Sequence, residues 1–377
     1  MRRYASKFFA EVSDRLKKLG NPQNNYKIIQ ITGTNGKGSV SSMIYSCLLE
    51  AGYKAGLYTK PVLVSDREKI RVGLNYVDDP KVYDNPDILE VYFNALKYFS
   101  GCGCEIVVIE NEVGGFSDYT YTLRPMMSII TNVDYDHQNL LGGTLGEITY
   151  DKCGVYKPCV KYPIVGDIPE GCKSIVENVC KSNNLTPIWA LDYECPSFKS
   201  GFRGDYQWKN EKIACCAASL LGIDEETIER GLKNVIRNSG LRGRWETIME
   251  NPQVIVDVGH NMNAWNYHLK YLEEQVSQGM KPGLVFSMVE DRPIREIFSR
   301  IPDGVTVYIC RVKKTKLASV EYMSKIAEET GITYKASRGT PTETIQMAIA
   351  DGCDPVLCSG GFFICGEILK NYPAREI

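Results

Sequence analysis

Seven consecutive residues have the chemistry of a phosphate-binding loop. They are Gly33, Thr34, Asn35, Gly36, Lys37, Gly38 and Ser39. Glycines let successive backbone N–H groups turn toward one anion, the Lys37 ammonium supplies a charge for the outer phosphates, and the Ser39 hydroxyl is placed to ligate magnesium. The loop departs from the common pattern, because Ile31 stands where the first glycine is expected and Gly38 separates the lysine from the hydroxyl residue. We expect a nucleotide-phosphate site here, with a glycine-rich turn and a surface lysine as the alternative.

Glu110 is the candidate ligand for the magnesium of Mg-ATP. It follows the apolar run at residues 106–109 and precedes two glycines. A carboxylate at the carboxyl end of a parallel strand lies beside a phosphate loop that follows a neighbouring strand. Glu112 is a nearby competitor for this role. Glu110 taken alone is equally consistent with a solvated strand end, so its assignment depends on its neighbours.

Two further positions could complete a metal site. His137 is one of three histidines in the chain and follows Asp136, after an apolar run that ends at Thr131. A neutral imidazole with a carboxylate partner can ligate a metal, although a lone histidine is more often structural. The Lys152 ammonium would repel a cation, whereas a carbamate formed with carbon dioxide would present oxygens as a carboxylate does. From the residues alone, an ordinary helix lysine is the preferred interpretation of Lys152.

A second set of polar residues lies in the C-terminal part of the chain. Asp257 lies at the end of an apolar run that starts at residue 254, and His260 and Asn261 follow in a polar turn. A carboxylate at a strand end can bond ribose hydroxyls. Together with Arg244, these residues would supply the second half of a nucleotide site across a domain cleft.

The elements that must position these residues alternate along the chain. Helical spacing of apolar residues at 2–19 is followed by the strand-loop-helix sequence at 26–51. Further strands are predicted at 55–58, 105–109, 127–131, 163–165, 254–258, 281–286, 305–309 and 355–358, with helices at 209–221 and 224–236. Such alternation predicts an α/β fold with parallel sheets. The polar stretch 237–244 is the candidate linker.

Length and composition limit the classes of protein that this chain could be. Its 377 residues favour two domains, and its 44% hydrophobic and 24% charged residues are globular values. A net charge of −2 argues against a general nucleic-acid binder. Fourteen cysteines are scattered without CxxC pairs, no signal peptide is evident and no apolar run approaches 18 residues. We therefore expect reduced thiols, a cytoplasmic location and no membrane partner.

Taken together, these motifs resemble the folylpolyglutamate synthase/dihydrofolate synthase family of the Mur ligase superfamily over nearly the whole chain. The matching positions are residues 19–23 (Leu-Gly-Asn-Pro-Gln), the loop 33–39, Tyr58-Thr59 with Pro61, Asp136-His137, Asp151-Lys152, Tyr206-Gln207 with Asn210, Gly243-Arg244, Asp257 with His260-Asn261, and Gly366-Glu367. The resemblance implies a P-loop-type parallel-sheet ATPase domain at 1–238, a smaller Rossmann-like α/β domain at 239–377, and a cleft between them.

The resemblance also implies a reaction. A carboxylate attacks the γ-phosphate of ATP to give an acyl-phosphate and ADP, and the amine of an incoming amino acid, usually glutamate, then displaces phosphate. Two magnesium ions organise both steps, which build negative charge on phosphoryl and carbonyl oxygens. Folate or dihydropteroate is the expected acceptor, and a monomer with small-molecule partners is expected.

Residue roles follow from the same match. The first magnesium would be held by Ser39 and Glu110, and the second by Glu110, His137 and carbamylated Lys152. Gln207 and Asn210 would face the adenine, with Asp257 on the ribose. Lys37, Arg244 and His260 would act on the phosphates.

Departures from the family pattern concentrate where the carboxylate substrate binds. Lys60 and Val62 replace a serine and a histidine of the family, and Asp66 replaces an aromatic residue. Phe116 replaces the arginine of a glycine-rich run that keeps its aspartate, Asp118. We predict that the acceptor contacts Lys60, Pro61, Phe116, Asp118 and Tyr119. The Lys60 cation would suit a substrate that bears an extra carboxylate or phosphate.

Two alternatives to a folate ligase remain open from the sequence. One is a Mur-type ligase that joins an amino acid to a non-folate carboxylate, as the altered substrate region allows. The other is a P-loop kinase or switch protein that binds Mg-ATP without joining an amine. The second metal set separates them, because His137 and Lys152 have no role in a simple phosphate-loop switch.

Overall fold

The computed structural model describes residues 2–85, 87–312 and 316–372. Within these ranges no helix combines the length and the apolar character needed to cross a bilayer. The chain forms two compact units. The first comprises Met1–Lys60, Asp66–Gly201 and Asp205–Leu241, and the second comprises Pro61–Ser65, Phe202–Gly204 and Arg242–Ile377.

The first unit alternates strands and helices. Its helices are α1 (Arg2–Lys18), α2 (Lys37–Glu50), α3 (Pro80–Tyr83), α4 (Ile88–Gly101), α5 (Gln138–Leu141), α6 (Leu145–Lys152), α7 (Lys173–Ser182), α8 (Gln207–Leu220), α9 (Glu225–Lys233) and α10 (Val235–Ser239). Its strands are β1 (Lys27–Thr32), β2 (Ala55–Tyr58), β3 (Ile70–Val72), β4 (Asn75–Tyr76), β5 (Ile106–Glu110), β6 (Met127–Asn132), β7 (Tyr162–Asp167) and β8 (Ile188–Trp189).

The eight strands form one sheet in the order β4-β3-β2-β5-β1-β6-β7-β8. All neighbours pair in parallel except β2 with β3 and β3 with β4. The central strand β1 is buried at every position after Lys27, as expected for a parallel strand covered on both faces. Because β5 and β6 flank β1, the residues that follow these three strands are brought to one edge of the sheet.

The second unit repeats this architecture on a smaller scale. Its helices are α11 (Met262–Ser277), α12 (Ile294–Phe298), α13 (Val320–Thr330), α14 (Pro341–Ala350) and α15 (Phe362–Leu369). Its strands are β9 (Glu246–Glu250), β10 (Gln253–Val256), β11 (Gly283–Phe286), β12 (Thr306–Ile309), β13 (Tyr334–Ala336) and β14 (Val356–Ser359). They form a sheet in the order β13-β12-β11-β14-β10-β9, in which only β9 is antiparallel to its neighbour. Trp265, Phe286 and Phe298 lie in its core.

The predicted α/β class with a parallel-dominated sheet in each unit is confirmed. The sequence did not indicate the short strands β3, β4, β8, β9 and β13, because runs of two to five partly exposed residues have too little alternation to detect. The units divide at Leu241/Arg242, inside the candidate linker 237–244. Sequence order gave no sign that segments 61–65 and 202–204 pack with the second unit.

Candidate functional site

The phosphate-type loop connects β1 to α2 as the sequence indicates. Gly33 has a φ of 153° and Gly36 a φ of 79°, and Gly36 precedes the first helical residue without a side-chain cap. An uncapped helix start leaves backbone N–H groups of the first turn without intrahelical acceptors. The Lys37 ammonium donates to the carbonyl oxygens of Gly33 (2.9 Å) and Thr34 (3.1 Å). The Lys37 side chain therefore folds back over the loop, and the same loop would bind the anion.

Polar residues at the end of β6 hold this loop in place. The side-chain oxygen of Asn132 accepts from the Asn35 N–H at 2.8 Å, and the Thr131 hydroxyl donates to the Asn35 carbonyl at 2.6 Å. The Thr34 hydroxyl donates to the Asp134 carbonyl and accepts from the Asp134 N–H, both at 3.0 Å. Sequence reasoning did not assign these roles, although the polar run after a predicted strand was a usable signal.

Gly33 and Gly36 are required in the loop for two reasons. Their φ values are positive, and neighbouring side chains leave no room for a Cβ at either position. A Cβ at Gly33 would overlap the Thr131 hydroxyl, and a Cβ at Gly36 would overlap the side-chain oxygen of Asn210. Asn210 lies on α8, so the structure brings one of the predicted adenine-facing residues against the phosphate loop.

Gly36→Ala is expected to destabilise the fold more than Gly52→Ala. Both residues have left-handed φ values, 79° and 82°, but an added Cβ at Gly52 has open space. Alanine in this conformation costs about 1–2 kcal/mol, and at Gly36 the overlap with Asn210 adds to that cost. Urea unfolding of both variants measures the difference.

The Asn210→Ala background is the control for Gly36→Ala. Shortening Asn210 removes the overlapping atom, so the extra destabilisation should largely disappear there. An equal loss for Gly36→Ala and Gly52→Ala in the original background would contradict the close approach.

The carboxylate of Glu110 lies at the carboxyl end of β5, beside the loop. Glu110 pairs in register with Ile31 of β1, and its side chain is buried, with one carboxylate oxygen accepting from the Lys60 N–H at 3.1 Å. Ser39 is buried in the first turn of α2. Glu112, the competitor, has a half-exposed side chain whose carboxylate is paired with the Lys60 ammonium. The geometry therefore favours Glu110 over Glu112 as the buried carboxylate next to the loop.

His137 follows β6 in a strained turn. Its φ is 50°, in the left-handed region, and its N–H donates to the Asp136 carboxylate at 2.8 Å. The His137 Nε2 lies 3.9 Å from that carboxylate, too far for a hydrogen bond. Left-handed geometry is uncommon outside glycine and occurs often at functional sites. The Asp136 carboxylate thus holds the backbone of His137 in this turn.

Lys152 is the least expected buried residue of the first unit. It ends α6 with 1% of its surface exposed, and its ammonium donates to the Val113 carbonyl at 3.0 Å. Burial, and secondarily the charge of Lys37, lowers the pKa of Lys152 to about 7. The sequence indicated a helix lysine at this position but not its burial. The neighbouring Asp151 accepts from the Gly115 N–H (2.9 Å) and the Ser117 hydroxyl (2.5 Å), which ties α6 to the segment after β5.

The donor atoms around the loop fit a magnesium site of mixed ligands. No group of three or more His, Cys, Asp or Glu side chains in the described part of the chain forms a metal cluster. The expected set does not require one, because it combines the Ser39 hydroxyl, the Glu110 carboxylate, the His137 imidazole and a modified Lys152. Hard oxygen donors are the ligands that magnesium prefers.

Gln207 provides a buried donor at the start of α8. It is 1% exposed, and its carbonyl oxygen accepts from the Asn210 side-chain amide at 2.8 Å. Within the described residues its own amide nitrogen has no hydrogen-bond partner. An unsatisfied buried donor costs free energy, so such a group fits a ligand with an acceptor atom.

The predicted substrate cation Lys60 is already paired in the structure. Its ammonium bonds the Glu112 carboxylate at 2.5 Å, donates to the Tyr119 hydroxyl, and lies 5.3 Å from the centre of the Tyr58 ring. Burial lowers the pKa of Lys60, and the attraction of Glu112 opposes that shift. An extra anionic group on the substrate would therefore have to compete with the Glu112 carboxylate for the Lys60 ammonium.

Asp118 is engaged by its own segment. One of its oxygens accepts from the N–H groups of Glu112 (2.7 Å) and Val113 (3.1 Å), and the other accepts from the N–H (3.0 Å) and hydroxyl (2.7 Å) of Thr120. Burial raises the pKa of Asp118, and these hydrogen bonds oppose the shift. The carboxylate shapes the segment that follows β5, and a ligand would have to replace one of these donors.

The other predicted acceptor contacts differ in their surroundings. Phe116 is half-buried between Tyr121 and Tyr150, with ring centres at 5.6 and 5.2 Å. Tyr119 is buried against Tyr92 at 4.8 Å. Pro61 is exposed and belongs to the second unit. Phe116 is therefore the more accessible aromatic face of the two.

The second unit places its predicted nucleotide residues after β10. The Asp257 carboxylate accepts from the N–H groups of Trp245 and Gly259, both at 2.9 Å. The Arg244 guanidinium donates to the Arg242 carbonyl at 3.2 Å, and the His260 ring packs against Phe362.

Asn261 caps the start of α11. Its side-chain oxygen accepts from the Ala264 N–H at 3.1 Å. This contact gives Asn261 a structural role that the sequence did not indicate.

Comparison with known proteins shows which proteins this chain is similar to. The Mur ligase middle domain matches residues 31–168. A dihydrofolate synthase/folylpolyglutamate synthase of Buchnera aphidicola subsp. Schizaphis graminum is 26% identical over 379 residues, which cover 94% of this chain and 90% of that protein.

Solved structures have the same fold. Folylpolyglutamate synthase of Mycobacterium tuberculosis, complexed with ADP and AMPPCP, superposes with a TM-score of 0.83 at 19% identity over 97% of this chain and 96% of that one. The bifunctional enzyme of Yersinia pestis, complexed with AMPPNP and a Mn ion, gives 0.79 at 20% identity over 97% and 92%. Residues 31–168 therefore match the Mur ligase middle domain, and the chain is similar over nearly its whole length to a member of the folylpolyglutamate synthase/dihydrofolate synthase family.

Proposed function

We propose that this protein is an ATP-dependent ligase that joins L-glutamate to the carboxylate of a folate or dihydropteroate through an acyl-phosphate. The observation that carries the proposal is the grouping of the Lys37 loop and the buried Glu110 at one edge of the first sheet, in a chain that is similar to this family. ADP, ATP analogues and a divalent ion are named in the structures of its neighbours.

ATP is bound in this proposal mainly through its phosphates. The backbone of residues 33–38 surrounds the phosphate chain, and the Lys37 ammonium exchanges the Gly33 and Thr34 carbonyls for phosphate oxygens. Gln207 donates its unpartnered amide N–H to an acceptor nitrogen of adenine, beside Asn210. Asp257 bonds the ribose hydroxyls, and Arg244 and His260 contact the phosphates.

Two overlapping sets of residues would hold magnesium. Ser39 and Glu110 would hold one ion, and Glu110, His137 and carbamylated Lys152 would hold the other. Bound there, the two ions would offset the charge that develops on phosphoryl and carbonyl oxygens. The Asp136 carboxylate would fix the backbone of this turn through the His137 N–H.

The carbamate explains why a lysine is buried here. Burial lowers the pKa of Lys152 to about 7, so much of its amine is neutral near neutral pH, and the neutral amine is the form that attacks carbon dioxide. The nitrogen bonds the carbon of carbon dioxide and one proton is released to solvent, so the product carries one negative charge and two carboxylate-like oxygens. It replaces an ammonium that would repel the metal with a carboxylate-like ligand.

The reaction then follows from charge and position. A carboxylate oxygen of the acceptor attacks the γ-phosphorus, and the bond to the bridging oxygen of ADP breaks. The glutamate amine next attacks the acyl carbon, and phosphate leaves with the oxygen that the acceptor contributed. Lys37 stabilises the phosphoryl oxygens in the first step, and exclusion of water protects the acyl-phosphate between the steps.

A non-folate carboxylate is the second candidate acceptor. The pairing of Lys60 with Glu112 and Tyr119 changes the region where the family binds its acceptor, which supports a different ring system or an added charge. A kinase or switch without amide formation is less well supported, because it leaves His137 and Lys152 without a role.

Offering candidate acceptors tests the proposal. Dihydropteroate and tetrahydrofolate, which already carries one glutamate, are each supplied with glutamate and Mg-ATP, while phosphate release and product mass are followed. We expect at least one acceptor to gain the mass of a glutamyl residue, with phosphate release that depends on both acceptor and glutamate. Extension of none of them, with normal ATP binding, would overturn the folate assignment in favour of another carboxylate.

We further propose that the protein acts as a cytoplasmic monomer on small molecules, without nucleic-acid or membrane partners. All fourteen cysteines are free in the structure, as thiols are in a reducing compartment. The net charge of −2 offers no excess of cations for a phosphate backbone.

A further inference from the structure

His268 contacts the carboxylate of Asp257 from inside the second unit. It lies on α11 with 1% of its surface exposed, and its Nε2 is 2.9 Å from an oxygen of Asp257. Because that carboxylate accepts, Nε2 carries the hydrogen. The other ring nitrogen lies 3.4 Å from the hydroxyl of the buried Ser359. Both polar atoms of this buried ring therefore face polar partners.

The backbone next to Asp257 is shaped to admit this ring. A Cβ at Gly259 would overlap the His268 imidazole, and the Gly259 N–H donates to the same Asp257 oxygen at 2.9 Å. A side chain at position 259 would thus displace the ring from the carboxylate. Gly259 and His268 act together on one oxygen of Asp257.

Two tryptophans fix the remaining freedom of the imidazole. The Trp265 ring meets it edge-on with centres 4.9 Å apart, and the Trp245 ring lies at 5.6 Å. The backbone N–H of Trp245 also donates to the second oxygen of Asp257 at 2.9 Å. At least three donors therefore hold the carboxylate in one orientation, and only His268 among them is a side chain.

We propose that His268 is a positioning residue for nucleotide binding, which fixes the Asp257 carboxylate in the orientation that bonds the ribose hydroxyls of ATP. This inference rests on the proposed role of Asp257. It assigns a task to a histidine outside every motif of the chain. A carboxylate held by fixed donors loses little conformational freedom when it binds, so its hydrogen bonds to ribose contribute more to affinity.

The test compares ATP with 2′-deoxy-ATP and 3′-deoxy-ATP, in equilibrium binding and in steady-state kinetics. In His268→Leu, KM and Kd for ATP should rise by about tenfold, as for loss of a hydrogen bond to a charged group, with kcat changed less. The deoxynucleotide that lacks the bonded hydroxyl should be affected much less, so discrimination against it falls. A purely structural role would weaken all three nucleotides equally.

Three further variants distinguish a positioning role of His268 from a general loss of folding. His268→Gln keeps a donor near Asp257 and should retain part of the discrimination. Gly259→Ala should act like His268→Leu, because its Cβ displaces the ring. Ile297→Ala removes a buried side chain of α12 and should lower stability without changing the preference for ATP.

Each outcome of the comparison is decisive. Unchanged discrimination in folded His268→Leu would overturn the positioning role. If the original enzyme does not distinguish ATP from either deoxynucleotide, the ribose role of Asp257 fails, and the inference with it. Nucleotide binding needs no acceptor, so failure of the folate assignment leaves this test intact.

Discussion

Lys37→Ala is expected to abolish amide formation while the fold is retained. The Lys37 ammonium is the cation that the loop itself supplies to the transferred phosphoryl group. Removing one preorganised donor from such a transition state costs about a hundredfold to a thousandfold in rate, and a full positive charge should lie at the upper end. We expect kcat to fall by about a thousandfold, measured as phosphate release in the presence of acceptor and glutamate.

Retention of the fold follows from what Lys37 contacts. Its ammonium bonds only two carbonyls of its own loop among the contacts that the structure describes, so alanine leaves no buried charge without a partner. Lys173→Ala is the control, because Lys173 is a partly exposed lysine paired with Glu170 on the surface of the same unit. Normal turnover in Lys37→Ala, or an equal loss in Lys173→Ala, would contradict the assigned phosphate role.

Lys152→Ala is expected to be inactive and to regain part of its activity with acetate. Alanine removes the carbamate and leaves a space in which a short carboxylate can supply the missing oxygens. Activity of the unaltered enzyme stripped of carbon dioxide should also return on adding bicarbonate, and faster above pH 7 than below it. The sign follows from the lowered pKa of about 7, because the reactive neutral amine becomes the major form only as the pH rises through that value.

Lys157→Ala is the matched control for Lys152→Ala. Lys157 is half-buried, burial lowers its pKa to about 8, and its ammonium donates to the carbonyls of Tyr121 (2.6 Å) and Leu123 (2.8 Å). Its loss should weaken the fold, and acetate should not restore activity. Full activity of Lys152→Ala without added carboxylate would refute the carbamate.

The sequence predicted the elements around the loop because their signals are local. The apolar run before Gly33 and the helical pattern after Ser39 give β1 and α2 within two residues of their observed bounds. Glu110 was also placed at a strand end from its own neighbours in the chain. Such positions depend on periodicity and turn residues, which a single sequence contains.

Contacts between distant segments could not be predicted in this way. The bonds of Thr131 and Asn132 to the loop depend on the placement of β6 beside β1, which the order of strands along the chain does not give. The pairing of Lys60 with Glu112 joins residues that are far apart in the sequence, and His268 follows Asp257 by eleven residues on a helix without a motif. Tertiary packing determines which polar side chains are buried, and in this protein burial affects the pKa values and the hydrogen-bond partners of the site residues.

Isotope transfer from the acceptor to phosphate tests the central claim most directly. The acceptor carboxylate is labelled with oxygen-18 and incubated with glutamate, Mg-ATP and the enzyme, and the released phosphate is analysed by mass spectrometry. An acyl-phosphate requires that each amide formed sends one labelled oxygen into phosphate, because the acyl carbon–oxygen bond breaks in the second step. Amide formation with unlabelled phosphate, or phosphate release without amide, would contradict the account.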